Sequence, residues 1–165
     1  MDENRLIQSA KTLIELASQH HVTVCSCESF TAGLFCAVLG SVPGASAVLK
    51  GGLVTYFSEM KVQLAHVDPQ IIEQYGVVSS QCAKAMAQNT RNICEADYCV
   101  SFTGNAGPSS MEGKPAGLIY SAIASPSHVK VFEKQLSLPR NELRKQAVLE
   151  MIEQLIELIE QNHPA

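Results

Sequence analysis

Two hydroxyls lie close together in Glu28-Ser29-Phe30-Thr31-Ala32-Gly33, between the apolar runs Val22–Cys27 and Leu34–Leu39. The first run reads as a β-strand and the second as the body of a helix. A turn from strand to helix lifts a hydroxyl clear of the sheet. The unpaired N–H groups of the helix start then face any oxygen that gains negative charge nearby. The small residues Thr31, Ala32 and Gly33 let a ligand approach the backbone closely. Nucleophilic chemistry at Ser29 would suit this layout, although on local grounds alone a helix N-cap is the commoner role of Ser29 or Thr31. Lys61 lies one turn into a short helix that closely follows a strand end. Active sites of α/β sheets collect at such ends, so Lys61 is either a site residue or a solvated surface lysine.

Two further stretches bear on chemistry. Thr103–Pro115 is long for a connection and holds Gly104, Gly107, Gly113 and several hydroxyls. Its N–H groups could form a nest for phosphate or carboxylate. It is not a Walker A loop, because the spacing to Lys114 is wrong and no helix follows. Arg140 and Arg144 fall one turn apart near the start of the last helix, where cations oppose the helix dipole. An anionic ligand would account for them, and so would a surface ion pair.

The elements that must position these residues follow from spacing. Residues 3–19 form an amphipathic helix with Leu6, Ala10, Leu13, Ile14 and Ala17 inward and Asp2 as N-cap. In the strand Val22–Cys27, Cys25 and Cys27 share a face. The helix that follows ends at Gly40, and 41–46 is a turn. Residues 47–49 and 52–57 read as extended, with Gly51-Gly52 marking a bulge, a close backbone approach or a plain bend. Ser58 is the expected N-cap of the short helix. Asp68-Pro69 opens another helix that ends at Gly76. Ser79 caps a longer one with Cys82, Ala83, Met86, Thr90 and Ile93 inward. Asp97–Phe102 is a strand. Residues 117–125 and 129–138 form an antiparallel hairpin. The last helix, after Pro139, turns Val148, Met151, Ile152, Leu155 and Ile159 inward and Glu150, Glu153, Glu157 and Glu160 outward. Leu149, Ile156 and Leu158 widen its apolar face, for a second subunit or for a deep core.

The 165 residues suffice for one domain, 1–165, with its own core. A net charge of −4 and the lack of any Lys/Arg run argue against nucleic acid as partner. No apolar run approaches a membrane span, and no signal peptide fits the N-terminus. Six cysteines, none in a C-x-x-C, are then expected as free thiols in a reduced cytoplasmic protein. The five histidines show no metal-ligand spacing, so neither a metal nor another cofactor is expected.

Several motifs occur in order: Glu28-Ser-Phe-Thr-Ala-Gly33, Val42-Pro-Gly-Ala-Ser46, Gly51-Gly-Leu-Val-Thr-Tyr56, Lys61, Gly76-Val-Val-Ser79, Ala85-Met-Ala87, Thr103-Gly-Asn-Ala-Gly-Pro108 and Lys114-Pro-Ala-Gly117. Together they resemble the CinA carboxy-terminal domain family, over about residues 5–160. The resemblance implies a single three-layer α/β/α domain with a mixed, mostly parallel sheet, and self-association. It also implies hydrolysis of the carboxamide of nicotinamide mononucleotide to nicotinate mononucleotide and ammonia by a Ser–Lys pair. Carried over, Ser29 is the nucleophile, Lys61 its base, and Tyr56 lines the site. Glu28, Thr31 and Gly33 belong to the nucleophile motif and are expected at the substrate. Thr103, Gly104 and Gly107 supply a ligand-binding loop, and Arg140 is the candidate for the phosphate. The additional amino-terminal domain of two-domain family members has no counterpart in this sequence.

The chemistry coheres with the residues. A serine hydroxyl needs a base, and lysine serves only if its pKa falls well below about 10.4. The sequence also departs from the family pattern. Phe30 and Ala32 replace Cys and Gly in the nucleophile motif, Ser58 stands for Asn, Asn105 for an apolar residue, and Ser109-Ser110 for a Gly pair. Two expectations therefore stand side by side: an amidase with an altered pocket, and an inactive paralogue that binds a nucleotide or assembles with itself.

Overall fold

The computed structural model describes residues 3–164. The N-cap expected at Asp2 lies outside them. Helix α1, Glu3–Gln19, buries Leu6, Ala10, Leu13, Ile14 and Ala17, the five positions its periodicity marks. Strand β1, Val24–Glu28, begins two residues later than its apolar run suggests. Thr23 instead donates its backbone N–H to Asp97 Oδ2 at 2.7 Å, and its hydroxyl to the same oxygen at 2.9 Å. After β1 come α2, Leu34–Gly40, and β2, Leu49–Val54. Three helices follow, α3 at Ser58–Gln63, α4 at Pro69–Tyr75 and α5 at Ser80–Cys94. The chain closes with β3, Tyr98–Gly104, β4, Leu118–Ala124, β5, Val129–Gln135, and α6, Arg140–Asn162.

The strands form a five-stranded sheet in the order β2-β1-β3-β4-β5. β1 pairs in parallel with β2 and β3, and the β3–β4 and β4–β5 pairs are antiparallel. β4 alone therefore runs against the other four strands. Helices α1, α2 and α6 cover one face, packing Leu13, Phe35, Leu39, Val148 and Ile152 against Val24, Val100 and Ile123. On the other face, Ala83 and Ala87 of α5 meet Cys25, Cys99 and Ala122, and Cys82 and Met86 meet Cys27. This is the expected three-layer α/β/α arrangement.

The topology marks one place. From β1 the chain crosses through α2 to β2 on one side, then through α3–α5 to β3 on the other. The crossovers lie on opposite faces, so β1 is the switch point, and its carboxyl end is where the fold class is expected to place a ligand. Ser29 is the next residue. The parity of β1 assigns its surroundings. Cys25 and Cys27 face the α3–α5 layer, while Ser26 and Glu28 face α2. The ladders continue past the strand end, with Ser29 N donating to Phe102 O and Thr55 N to Glu28 O, both at 2.9 Å. Ser29 thereby inherits the α3 side.

Several local expectations are refined. A single strand runs through the two glycines. Residues 45–47 form a 3-10 turn and 55–57 leave the sheet. The register slips between Val24 and Cys25, leaving Lys50 as the extra residue of a bulge. A Cβ on Gly52 would sit 2.5 Å from Cys36 Sγ and 2.6 Å from Ser26 Oγ. The close approach is thus by protein side chains. Phe57, not Ser58, occupies the N-cap of α3, whereas Asp68 and Ser79 cap α4 and α5 as expected. Ile93 is half-exposed, not part of the inner stripe of α5. Leu149 and Leu158 lie in the core against α1 and the sheet, so the width of the α6 face belongs to the chain's own interior. All six cysteines are free thiols, and no described helix is long and apolar enough to cross a membrane.

Candidate active site at the end of strand β1

Lys61 is one of the largest fully buried side chains, with 1% of its surface exposed. It reaches back from α3 under the end of β1. Its Nζ lies 2.9 Å from Ser29 Oγ, 2.7 Å from Thr55 O and 3.4 Å from Tyr56 O. Among the described residues it makes no ion pair. Burial pushes its pKa below the ordinary lysine value, opposed only by the fields of Cys82, Cys27 and Glu112. Three acceptors thus surround Nζ, and on loss of a proton the amine would keep two N–H bonds for the Thr55 and Tyr56 carbonyls and turn its lone pair to the Ser29 hydroxyl. Ser29 itself is 7% exposed.

The turn after Ser29 differs from the expected arrangement in one respect. The amides at the start of α2 are already taken. Leu34 N donates to Thr31 O and Ala37 N to Gly33 O. Phe35 N and Cys36 N donate to the two carboxylate oxygens of Glu28, at 2.9 and 3.2 Å. Glu28 Oε2 also accepts the Ser26 hydroxyl. Buried Glu28 therefore acts as the cap of α2, and the start of that helix is not open to a developing oxyanion. Ala32 (φ 47°) and Gly33 (φ 92°) are both left-handed, which folds the turn sharply enough for Glu28 to reach those amides. Thr31 is fully buried with Oγ1 unpartnered, so it is packed inside the turn and offers no open surface to a ligand.

Tyr56 contributes its carbonyl to Lys61 and turns its ring outward, where it is half-exposed. There its hydroxyl accepts Arg140 Nη2 at 2.6 Å, while Arg140 Nη1 donates to Gly107 O at 2.9 Å. Arg140 and Gly107 also line a cleft of about 420 Å³ between residues 106–108 and 136–139. Ser29 and Lys61 do not line that cleft.

Thr103 and Gly104 close β3. Thr103 Oγ1 is buried and donates to Val77 O at 2.6 Å, which ties the strand to the segment before α5. A Cβ on Gly104 would meet Ile119 Cα at 2.7 Å, so the glycine allows β4 to pass. Within the loop, Asn105 braces its own turn: Nδ2 donates to Ser109 O and Oδ1 accepts Gly107 N. This explains how a polar residue is accommodated where the family has an apolar one. Glu112 reaches across to the amides of Val77 and Val78.

The structure thus brings together Ser29, Lys61, Tyr56, Gly107 and Arg140, and gives Glu28, Thr103 and Gly104 internal partners. The sequence left Arg144 open between an anionic ligand and a surface ion pair, and the structure gives it two carbonyls of the turn after Ser29. Its guanidinium donates to Phe30 O at 3.0 Å and to Thr31 O at 2.8 Å, inside the nucleophile turn. The available signal was a second arginine opposed to the helix dipole one turn after Arg140.

The CinA C-terminal domain profile matches residues 6–159. A competence-damage inducible protein of Listeria welshimeri is 41% identical over 145 residues, 87% of this chain and 35% of that protein. One of Streptococcus agalactiae is 43% identical over 120 residues, 73% of this chain and 29% of that protein. The chain thus spans about a third of the length of these curated relatives. The crystal structure of competence/damage inducible protein CihA from Agrobacterium tumefaciens superposes with a TM-score of 0.90 at 30% identity, covering 96% of this chain and 98% of that one. A CinA superfamily protein from Klebsiella pneumoniae superposes with a TM-score of 0.92 at 22% identity, covering 94% and 98%, a likeness of fold. With the profile match spanning nearly all of its elements, the chain belongs to the CinA C-terminal domain family.

Proposed function

We propose that this protein is a nicotinamide-nucleotide amidase that hydrolyses the carboxamide of nicotinamide mononucleotide through Ser29 and Lys61. The observation that carries the reading is the 2.9 Å contact between Lys61 Nζ and Ser29 Oγ inside a buried site, where desolvation favours the neutral amine. The neutral Lys61 takes the Ser29 proton as Oγ bonds to the amide carbon. The carbonyl oxygen becomes an oxyanion. Lys61 then returns a proton to the departing nitrogen, which leaves as ammonia. Water, deprotonated by Lys61, attacks the acyl–Ser29 ester, and Lys61 returns that proton to Ser29 Oγ as nicotinate mononucleotide leaves. Arg140, half-engaged by neutral acceptors at the cleft, is the proposed partner of the phosphate.

The test is ammonia release from nicotinamide mononucleotide by the purified protein, beside Ser29→Ala and Lys61→Ala. Activity in the parent that both variants lose supports the amidase. An inactive parent that the nucleotide nevertheless stabilises against heat would point to the binding paralogue instead.

A further inference from the structure

The carbonyls of Ser29, Phe30 and Thr31 and half of the amides from Ser29 to Leu34 have a partner. Ser29 N donates to Phe102 O, Ala32 N to Ser29 O and Leu34 N to Thr31 O. The Phe30 and Thr31 carbonyls accept Nε and Nη2 of Arg144. Among the described residues, the amides left without a protein partner in this turn are those of Phe30, Thr31 and Gly33. The Phe30–Thr31 bond is trans. In a trans peptide the C=O and N–H point in opposite directions. By holding the Phe30 carbonyl toward α6, Arg144 therefore directs the Thr31 N–H away from α6. The Thr31–Ala32 peptide is fixed at both ends, by Arg144 on its carbonyl and by Ser29 O on its N–H, and Ser29 O is the carbonyl of the same peptide that carries the Phe30 N–H, so the hold of Arg144 is passed on to that amide. A planar guanidinium suits this task, since its fork spans two adjacent acceptors in fixed geometry. The Phe30 amide belongs to the residue directly after the nucleophile, a position that donates to the oxyanion in other hydrolases with a strand–nucleophile–helix turn.

We propose that Arg144 is a positioning residue for Ser29 chemistry: it holds the Phe30 and Thr31 carbonyls, and through them the turn, so that the Phe30 amide serves as an oxyanion donor. The inference rests on the amidase reading of Ser29, but it can be tested apart from the nucleotide. Arg144 touches no reacting atom in this scheme. It acts through the turn, in place of the α2 amides that Glu28 has taken.

The experiment uses Arg144→Met with two readouts. The first is steady-state hydrolysis of nicotinamide mononucleotide. The second is the rate at which an alkyl fluorophosphonate labels Ser29. That reagent forms an Oγ–P bond, loses fluoride and leaves its phosphoryl oxygen at the oxyanion position, while Lys61 takes the serine proton. Loss of one oxyanion donor lowers rates by about 10²–10³. A misdirected donor costs less, so kcat and the labelling rate should both fall about 10–100-fold, with KM within about 3-fold. A folded Arg144→Met protein with unchanged labelling, or with only KM raised, overturns the proposal. If Arg144→Met does not fold, Arg144→Lys takes its place. It keeps the charge without the fork, and full rates in that variant equally overturn the proposal. A parent that labels at Ser29 but releases no ammonia sinks the amidase reading and leaves the positioning role to the labelling result. A parent that does not label sinks the positioning role.

Discussion

Arg140 Nη2 donates to Tyr56 Oη across 2.6 Å, fastening the first residue of α6 to the turn after β2. The guanidinium keeps further N–H groups for an anion beyond the two given to Tyr56 and Gly107. Hydrogen bonds to charged groups contribute about 1.5–3 kcal/mol. Arg140→Ala should therefore raise KM for nicotinamide mononucleotide by about 10–100-fold, with a smaller change in kcat. Tyr56→Phe, which removes only the tether, should raise KM by less than about 5-fold. Steady-state kinetics on both variants checks this, and an unmoved KM in Arg140→Ala would exclude the arginine from the phosphate.

Only the neutral Lys61 amine can accept the Ser29 proton. The rate should therefore rise with pH through the Lys61 pKa and level off above it. Desolvation lowers that pKa, which places the rising limb below the ordinary lysine value of about 10.4. A kcat/KM profile between about pH 6 and about pH 10 reports the limb. A profile with no rise would remove Lys61 from the role of base.

The same shift predicts how stability varies with pH. In the interval between the lowered folded-state pKa and the ordinary value, the unfolded chain holds a proton on Lys61 that the folded chain does not. Stability therefore rises with pH across that interval. Below it, both states are protonated and the slope from this group vanishes. Lys61→Met should flatten the rise, as measured by urea unfolding at a series of pH values. Equal slopes in parent and variant would mean that Lys61 titrates alike in both states.

Two glycines should respond with opposite sign. A Cβ on Gly52 meets Cys36 Sγ and Ser26 Oγ inside van der Waals distance, so Gly52→Ala should lower stability by about 1–3 kcal/mol. Gly40 closes α2 with nothing within 4 Å of its would-be Cβ, so Gly40→Ala should raise stability by about 0.5–1 kcal/mol. Denaturant unfolding of the two variants decides, and a stabilised Gly52→Ala would show that β2 is not tightly seated on α2.

Much of this arrangement was legible in the residues. The stripe of α1, the caps at Asp68 and Ser79 and the β4–β5 hairpin follow from spacing, because each is set by local chemistry. The pairing of Ser29 with Lys61 came through family resemblance, since 32 positions separate them and only the ladder around β1 brings them to one side. Glu28 and Arg144 were not legible in their roles. Whether a carboxylate meets a ligand or the next helix depends on strand parity, and whether an arginine meets an anion or a carbonyl depends on how α6 docks. The course of β2 through Gly51-Gly52 escaped for a similar reason: the slip at Lys50 exists only against the β1 partner.

The site draws its parts from distant points along the chain. Ser29 and Lys61 lie in the first half of the sequence, and Arg140 and Arg144 begin the last helix. During synthesis, the nucleophile and its base leave the ribosome well before either arginine has been made. A nascent chain at that stage holds Ser29 and Lys61 without the two arginines proposed to orient the turn and to meet a phosphate. In the proposed amidase, docking of α6 would therefore be the step that completes the site, and an unfinished chain would hold Ser29 and Lys61 without it.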